Sequence, residues 1–366
     1  MRPSFRPLLI MRVLLVKLRH LGDTLLLTPT LRFIKERFPD AQVDVIVRSS
    51  CEAIIETNPD VHRVFAIARP EAGQRTSLSS IRENVVLLLG VCRTKYDFAF
   101  DLSDSDRAKV WVWLSRAQIR GFRRSGVPHS WKQKVFNRFD DLPLSSEHQV
   151  VKDFETVTRI MGVKGQPGPL KFYPKVDDLS LARRFSWLDS PKPFAVLHPT
   201  SRWTFKEWIP QRWAEVIDWV SSLGFNIVLS GGPDPRERET VSHIQKLTNV
   251  ATVSIAGAVS LHEFGYILGR ARLFLGVDTF AMHLAAAMQT PTVPLFGPSQ
   301  LRAWTPWKNR AAVPPTICNC DGSQYRSCAT PVSKCLNDLS VASVLKCVQQ
   351  LGVIPECIIP DTKEVS

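Results

Sequence analysis

The chain has 366 residues, is 44% hydrophobic and 22% charged, and carries a formal net charge of +13. That length suits two domains of roughly 100–200 residues, and the composition is that of a soluble globular protein. No apolar run approaches the roughly 18–20 residues of a membrane span, which argues against an integral membrane protein. The basic excess lies mainly in the first half: residues 1–180 hold 29 basic and 20 acidic side chains, a net +9, against +4 in the remainder. Such a surface suits nucleic acid, an anionic membrane face or a phosphorylated substrate, and also plain solubility.

Residues 1–16 contain arginines and an apolar stretch, but Arg12 interrupts it and no small-residue cleavage site follows. No signal peptide is expected, and residues 1–10 read as a tail. Met11 opens a better strand, running to Lys17. Further strand-like runs are Val43–Val47, Val64–Ile67, Phe98–Leu102 and Ile119–Phe122. Helix-like stretches lie near 23–38, 50–57, 79–92 and 105–116. This alternation predicts a parallel sheet with helices on both faces. Prolines and charges loosen the pattern from Pro167 to Pro193, which places the domain connection there.

The second half repeats the scheme. Strands are expected at Phe194–Leu197, Phe225–Leu229, Ala271–Gly276 and Thr292–Phe296. Helices are expected at Gln211–Ser222 and Arg236–Leu247, after Ser260 in a capping box with Glu263, over the Ala-rich run from Phe280, and from Asp338 to Leu351 before Gly352. The expected domains are residues 11–180 and 181–352, with 353–366 as a second tail.

Several strand ends carry polar groups that could do chemistry. Lys17-Leu18-Arg19-His20-Leu21-Gly22-Asp23 puts one carboxylate beside three basic groups. The loop has neither P-loop nor G-x-G-x-x-G spacing. Asp23 either caps a helix or takes a proton from an incoming hydroxyl. Thr200, Ser201 and Lys206 follow another strand, where two hydroxyls and an ammonium could neutralise a leaving diphosphate; a plain surface loop fits equally well. Gly231-Gly232 lets a ligand approach the backbone, with Asp234 nearby for ribose hydroxyls. Asp278, Thr279 and His283 stand where a strand feeds a helix, a place for sugar or phosphate contacts as well as for ordinary capping.

Two further clusters have weaker logic. Asp104-Ser105-Asp106 is a D-x-D triplet able to hold a divalent metal or to cap a helix. Arg116, Arg120, Arg123, Arg124, Lys132 and Lys134, with His129 and Trp131 among them, could meet an anionic acceptor or a membrane, or be a solvated face. Of eight cysteines, Cys318, Cys320, Cys328 and Cys335 lack the paired C-x2-C spacing of common zinc sites, so free thiols are expected.

Taken together, the motifs at Val16–Thr24, His198-Pro199-Thr200-Ser201 to Trp208, and Gly276–His283 running to Pro294–Ser299 resemble glycosyltransferase family 9. This family comprises the ADP-heptose:lipopolysaccharide heptosyltransferases. The Trp304-Thr305-Pro306-Trp307 segment and the Ser-Arg-Trp-Thr form of the lysine loop are most like the heptosyltransferase III branch. The resemblance implies a GT-B fold, two doubly wound Rossmann-like domains facing a central cleft. It implies inverting transfer of heptose from ADP-heptose to a lipid-linked inner-core oligosaccharide, with no bound metal, no cofactor and no nucleic acid.

The resemblance also implies roles. Asp23 matches the general base. Thr200, Ser201 and Lys206 match the donor-phosphate contacts, and Lys206 also the catalytic cation. Asp234 matches the ribose contact, and Asp278, Thr279 and His283 the donor-binding motif. Lys17, Arg19, His20, Arg120 and Arg123 are the acceptor-binding candidates. The expected location is the cytoplasm, at the inner face of the inner membrane. Phe280 departs from the glycine that many members carry after Asp-Thr, which bears on the donor. Other readings are a related GT-B transferase with another nucleotide sugar or acceptor, and a zinc- and nucleic-acid-binding non-enzyme.

Overall fold

The computed structural model describes residues 10–68, 78–123, 135–140, 148–315, 329–330 and 332–353. They form two compact units that divide between Phe172 and Tyr173, before the 180/181 boundary expected. The first unit holds β1 (Arg12–Lys17), α1 (Leu21–Leu25), α2 (Thr28–Arg37), β2 (Gln42–Arg48), β3 (Arg63–Ile67), α3 (Leu78–Arg93), β4 (Phe98–Asp101), α4 (Asp106–Leu114), β5 (Ile119–Arg123), β6 (Arg138–Asp140) and α5 (Gln149–Met161). All its strand pairs are parallel, in the order β3-β2-β1-β4-β5-β6.

This order makes the sheet doubly wound. Leu27, Leu31 and Ile34 from the α2 side and Val157 of α5 pack on one face. Val91 of α3 with Ala108 and Val112 of α4 pack on the other. The chain reverses direction between β1 and β4, and in open α/β sheets the strand ends at such a reversal border the ligand site.

The expected helix 23–38 is two helices. Pro29 stands at the start of α2, where a residue without an N–H is tolerated only in the first turn, so the chain closes α1 and restarts. A 3₁₀ turn, Ser49–Ile54, takes the place of the helix expected at 50–57. β6 and α5 were not legible as separate elements.

The second unit holds α6 (Asp178–Arg184), β7 (Phe194–His198), α7 (Pro210–Ser222), β8 (Asn226–Leu229), α8 (Pro235–Leu247), β9 (Thr252–Ser254), α9 (Leu261–Arg270), β10 (Leu273–Val277), α10 (Phe280–Ala287) and β11 (Thr292–Leu295). Its sheet is parallel in the order β11-β10-β7-β8-β9, reversing between β7 and β10. Trp213, Val216, Ile217 and Val220 of α7 and Val344 and Val348 of the final helix, Val341–Gln350, share one core with the inward strand residues. The capping box expected at Ser260 and Glu263 is present. Gly276 is needed inside β10: a Cβ there would lie 2.6 Å from the Phe274 ring and 3.3 Å from His198.

One buried ion pair ties the first sheet to α5. Lys17 is 1% exposed, and its Nζ donates to Asp153 Oδ2 at 2.6 Å and to the Leu102 carbonyl at 3.0 Å. Burial pushes the Asp153 carboxyl up, and the Lys17 charge opposes that shift. Removing one partner of such a pair costs about 3–5 kcal/mol, while replacing both with apolar groups is close to neutral. Lys17→Met is therefore expected to lose most of that amount in urea unfolding, and Lys17→Met with Asp153→Leu to recover most of it. A single variant within about 1 kcal/mol of the parent would contradict the assignment.

Candidate active site

In the first unit, the β1 and β4 ends are stitched into one edge. Leu18 donates its N–H to Ser103 Oγ at 2.6 Å, Ser103 Oγ donates to the Val16 carbonyl at 3.1 Å, and Arg19 Nε donates to the Ser103 carbonyl at 2.7 Å. The Ser103 turn is itself fixed by Asp101. Its Oδ1 accepts the N–H groups of Ser103 at 2.8 Å and Asp104 at 3.0 Å. Its Oδ2 is buried with no hydrogen-bond partner, and the Lys109 ammonium lies 3.9 Å away. Burial pushes the Asp101 carboxyl up to about 6, against its turn hydrogen bonds and Lys109.

Asp23 lies on α1 just past this edge and is partly exposed. Its Oδ2 accepts the His20 N–H at 3.3 Å, a long contact that caps α1 and leaves the other oxygen outside that bond. Capping and proton abstraction are thus compatible at one carboxylate. Arg19 and His20 are exposed beside it. Lys17 is not: the acceptor contact expected of it is corrected, because its ammonium is buried and engaged by Asp153 and Leu102.

At the end of β5, Arg123 has all three guanidinium nitrogens shielded from solvent without a hydrogen-bond partner. Arg120 is held by its neighbours, its Nε donating to the Val135 carbonyl. Arg124, His129, Trp131, Lys132 and Lys134 lie outside the described residues. The D-x-D triplet divides: Asp104 Oδ1 accepts from Lys109 at 3.0 Å, and the residue between the two acids, Ser105, caps α4 through the Ala108 N–H. Cys318, Cys320 and Cys328 also lie outside the described residues, and Cys335 is buried.

In the second unit, the β7 and β10 ends bring together residues 72 positions apart. Lys206 Nζ donates to Asp278 Oδ2 at 2.6 Å, with Asp278 nearly buried and Lys206 partly exposed. Thr279 caps α10 by backbone geometry, yet its Oγ1 is buried without a partner. His283 is buried one turn along α10, its ring in a T-shaped contact with Trp304 at 6.4 Å between centroids. These four residues form one constellation of a cation, a carboxylate, an unengaged hydroxyl and an imidazole.

The loop after β7 is braced from below. Thr200 is fully buried, and its Oγ1 donates to Glu237 Oε2 at 2.7 Å, while the Gly232 N–H donates to the same oxygen at 2.8 Å. The Thr200 proton therefore points at Glu237, so the direct phosphate contact expected of Thr200 is corrected to a bracing role in this arrangement. Ser201 Oγ accepts from the Trp203 N–H, which leaves its own proton uncommitted. Arg236 Nη1 spans both oxygens of Glu207 at 2.9 and 3.0 Å and, through Nη2, donates to the Ser201 carbonyl. Burial pushes the Glu207 carboxyl up, countered by the Ser201 N–H and Arg236. Asp234 is exposed and caps α8, accepting the Arg236 N–H at 2.9 Å.

Glu237, Arg236, Glu207, Asp101 and Ser103 are the site residues that the sequence reading missed. A signal existed for Glu237, which stands three residues after the helix-capping Asp234, the capping-box spacing. It uses that position to reach Thr200 and Gly232 instead.

Solved structures share this fold. A glycosyl transferase family 9 protein from Veillonella parvula matches with a TM-score of 0.75 at 20% identity, over 93% of this chain and 97% of that one. The E. coli heptosyltransferase WaaC with ADP-2-deoxy-2-fluoro heptose matches at 0.71 and 20%, over 93% and 99%. The fold is that of a GT-B glycosyltransferase. The family model for glycosyltransferase family 9 (heptosyltransferase) matches residues 87–331, and the chain belongs to that family. Among curated relatives, lipopolysaccharide heptosyltransferase 3 of Escherichia coli is 29% identical over 297 residues, covering 80% of this chain and 85% of the relative. Membership overturns the non-enzyme reading.

Burial at this edge also bears on stability. Burial pushes His198, hydrogen-bonded to Ser230 Oγ at 2.9 Å, down to about 4. The fold keeps this ring neutral while the unfolded chain binds a proton below about 6.5. Its contribution is therefore present above pH 6.5 and lost as pH falls toward 4, with no further change below. His198→Asn should shrink the stability difference between pH 7 and pH 4 by on the order of 2–3 kcal/mol in urea melts. An unchanged difference would contradict this.

Proposed function

We propose that this glycosyltransferase moves heptose from ADP-heptose to a lipid-linked inner-core oligosaccharide of lipopolysaccharide, with inversion and without a metal. The observation that carries the donor half is the Lys206–Asp278 pair at the β7/β10 reversal, with the unengaged Thr279 hydroxyl beside it. The relatives support both halves: a solved relative holds a fluorinated ADP-heptose, which supports the donor, and a curated relative is a lipopolysaccharide heptosyltransferase, which supports the acceptor. The reaction is placed in the cytoplasm, where nucleotide sugars are made.

In this reading Asp23 accepts the proton of the acceptor hydroxyl as its oxygen attacks the anomeric carbon. The bond to the ADP oxygen breaks on the opposite face, which inverts the centre. Lys206 exchanges part of its contact with Asp278 for the departing diphosphate, whose charge is also met by the Ser201 and Thr279 hydroxyls and the first N–H groups of α10. Asp278, relieved of the ammonium, can accept from sugar hydroxyls, while Asp234 is exposed for the ribose. His283, one turn along α10, is assigned with Asp278 and Thr279 to the donor. Arg123, whose guanidinium has no internal partner, is assigned to an anionic group of the acceptor, with Arg19 and His20 beside the attacking hydroxyl.

The test is ADP release from ADP-heptose in EDTA, with and without truncated inner-core lipopolysaccharide. Release is expected only with acceptor, and Asp23→Asn is expected to lower turnover by about 10²–10⁴. Activity that requires added Mn or Mg would overturn metal independence and return attention to Asp104 and Asp106. Phe280 favours a second reading, another nucleotide-sugar donor; release from a different sugar nucleotide but not from ADP-heptose would establish it.

A further inference from the structure

The first unit turns an unusual surface outward on the side opposite α2 and α5. α3 and α4 lie on the same face of the sheet, burying Val91, Ala108 and Val112 beneath them. Their outer stripes are apolar. On α3, Val85, Val86 and Leu89 are exposed, Val86 at 61%; on α4, Val110 and Trp113 are exposed, Trp113 at 59%. The spacings of three and four residues put each set on one helix face. Exposed arginines bracket both stripes lengthwise: Arg82 and Arg93 on α3, Arg107 and Arg116 around α4. Asp104 and Asp106, at the start of α4, are exposed acidic groups near them, against the four arginines.

We infer that this α3/α4 face docks the enzyme on an anionic phospholipid surface. The pattern is that of a helix lying in a bilayer interface, with apolar side chains and a tryptophan entering the acyl boundary while arginines stay at the phosphates. Each arginine near such a surface is drawn to the anionic headgroups, and the apolar side chains lose their exposed area to the lipid. A second copy of the chain suits the face poorly, because two such faces would set arginines against arginines. The net +9 of residues 1–180 places the wider field on the same unit. The placement serves a lipid-linked substrate: α3 follows β3 and α4 follows β4, so both helices start from the carboxyl edge that also carries Asp23. The value of that placement rests on the lipid-linked acceptor proposed above, whereas the apolar and charge pattern of the face, and the vesicle test below, do not.

The test uses the full chain and no substrate. Flotation is measured with vesicles of phosphatidylglycerol and phosphatidylethanolamine and with vesicles of phosphatidylcholine. Binding is expected to the anionic vesicles, to fall with salt, and to be weak on phosphatidylcholine. Val86→Asp with Trp113→Asp is expected to lower the bound fraction roughly tenfold or more at an unchanged melting midpoint. Arg82→Gln with Arg93→Gln is expected to flatten the salt dependence. No vesicle binding by the parent, or parental binding by the Val86/Trp113 variant, would overturn the inference. So would a parent that is dimeric by light scattering and becomes monomeric in that variant, which would make the face a self-association surface.

Discussion

A parallel sheet sends the carboxyl ends of all its strands to one edge, and the loops that follow must satisfy the free backbone groups there. Both units obey this constraint, and both reverse strand order once. In the first, the reversal falls between β1 and β4, where Ser103 clasps Leu18, Val16 and Arg19. In the second, it falls between β7 and β10, where Lys206 meets Asp278. The residues assigned to chemistry stand near the two strand pairs that the winding leaves open; Asp23 and Asp234 are held by local caps, and Lys206 and Asp278 by each other across 72 residues.

Charge at these edges is handled in layers. Inner layers are closed pairs: Lys17 with Asp153, and Arg236 with Glu207 and the Ser201 carbonyl. These fix backbone position, and their partners are spent. Outer groups keep capacity in reserve, as with the second oxygen of Asp23, the Thr279 hydroxyl and the Arg123 guanidinium. Glu237 joins the layers, since one carboxylate oxygen holds both the Thr200 hydroxyl and the Gly232 N–H. Transition-state stabilisation depends on donors that do not move when charge appears, and this bracing supplies that rigidity.

Much of this was legible in the chain itself. Alternating apolar runs gave the doubly wound class, and the Asp278-Thr279 turn after β10 marked the edge where Lys206 meets Asp278. Local signals ran out where partners are distant. Nothing near Lys17 reveals Asp153, 136 residues away, and so a buried structural lysine read as an acceptor contact. Thr200 looked like a phosphate ligand because its partner, Glu237, is 37 residues on. The split of α1 from α2 was written in Pro29, whereas β6 has three residues and offers too short a pattern to read.

The division of labour between Asp23 and Lys206 is tested most directly by calorimetric titration of ADP into the parent protein, Asp23→Asn and Lys206→Ala, all in EDTA. The account predicts that Asp23→Asn binds ADP within about twofold of the parent, and that Lys206→Ala binds it about 10–100-fold more weakly through loss of a charge-assisted contact. Loss of ADP binding in Asp23→Asn, or parental binding in Lys206→Ala, would contradict it.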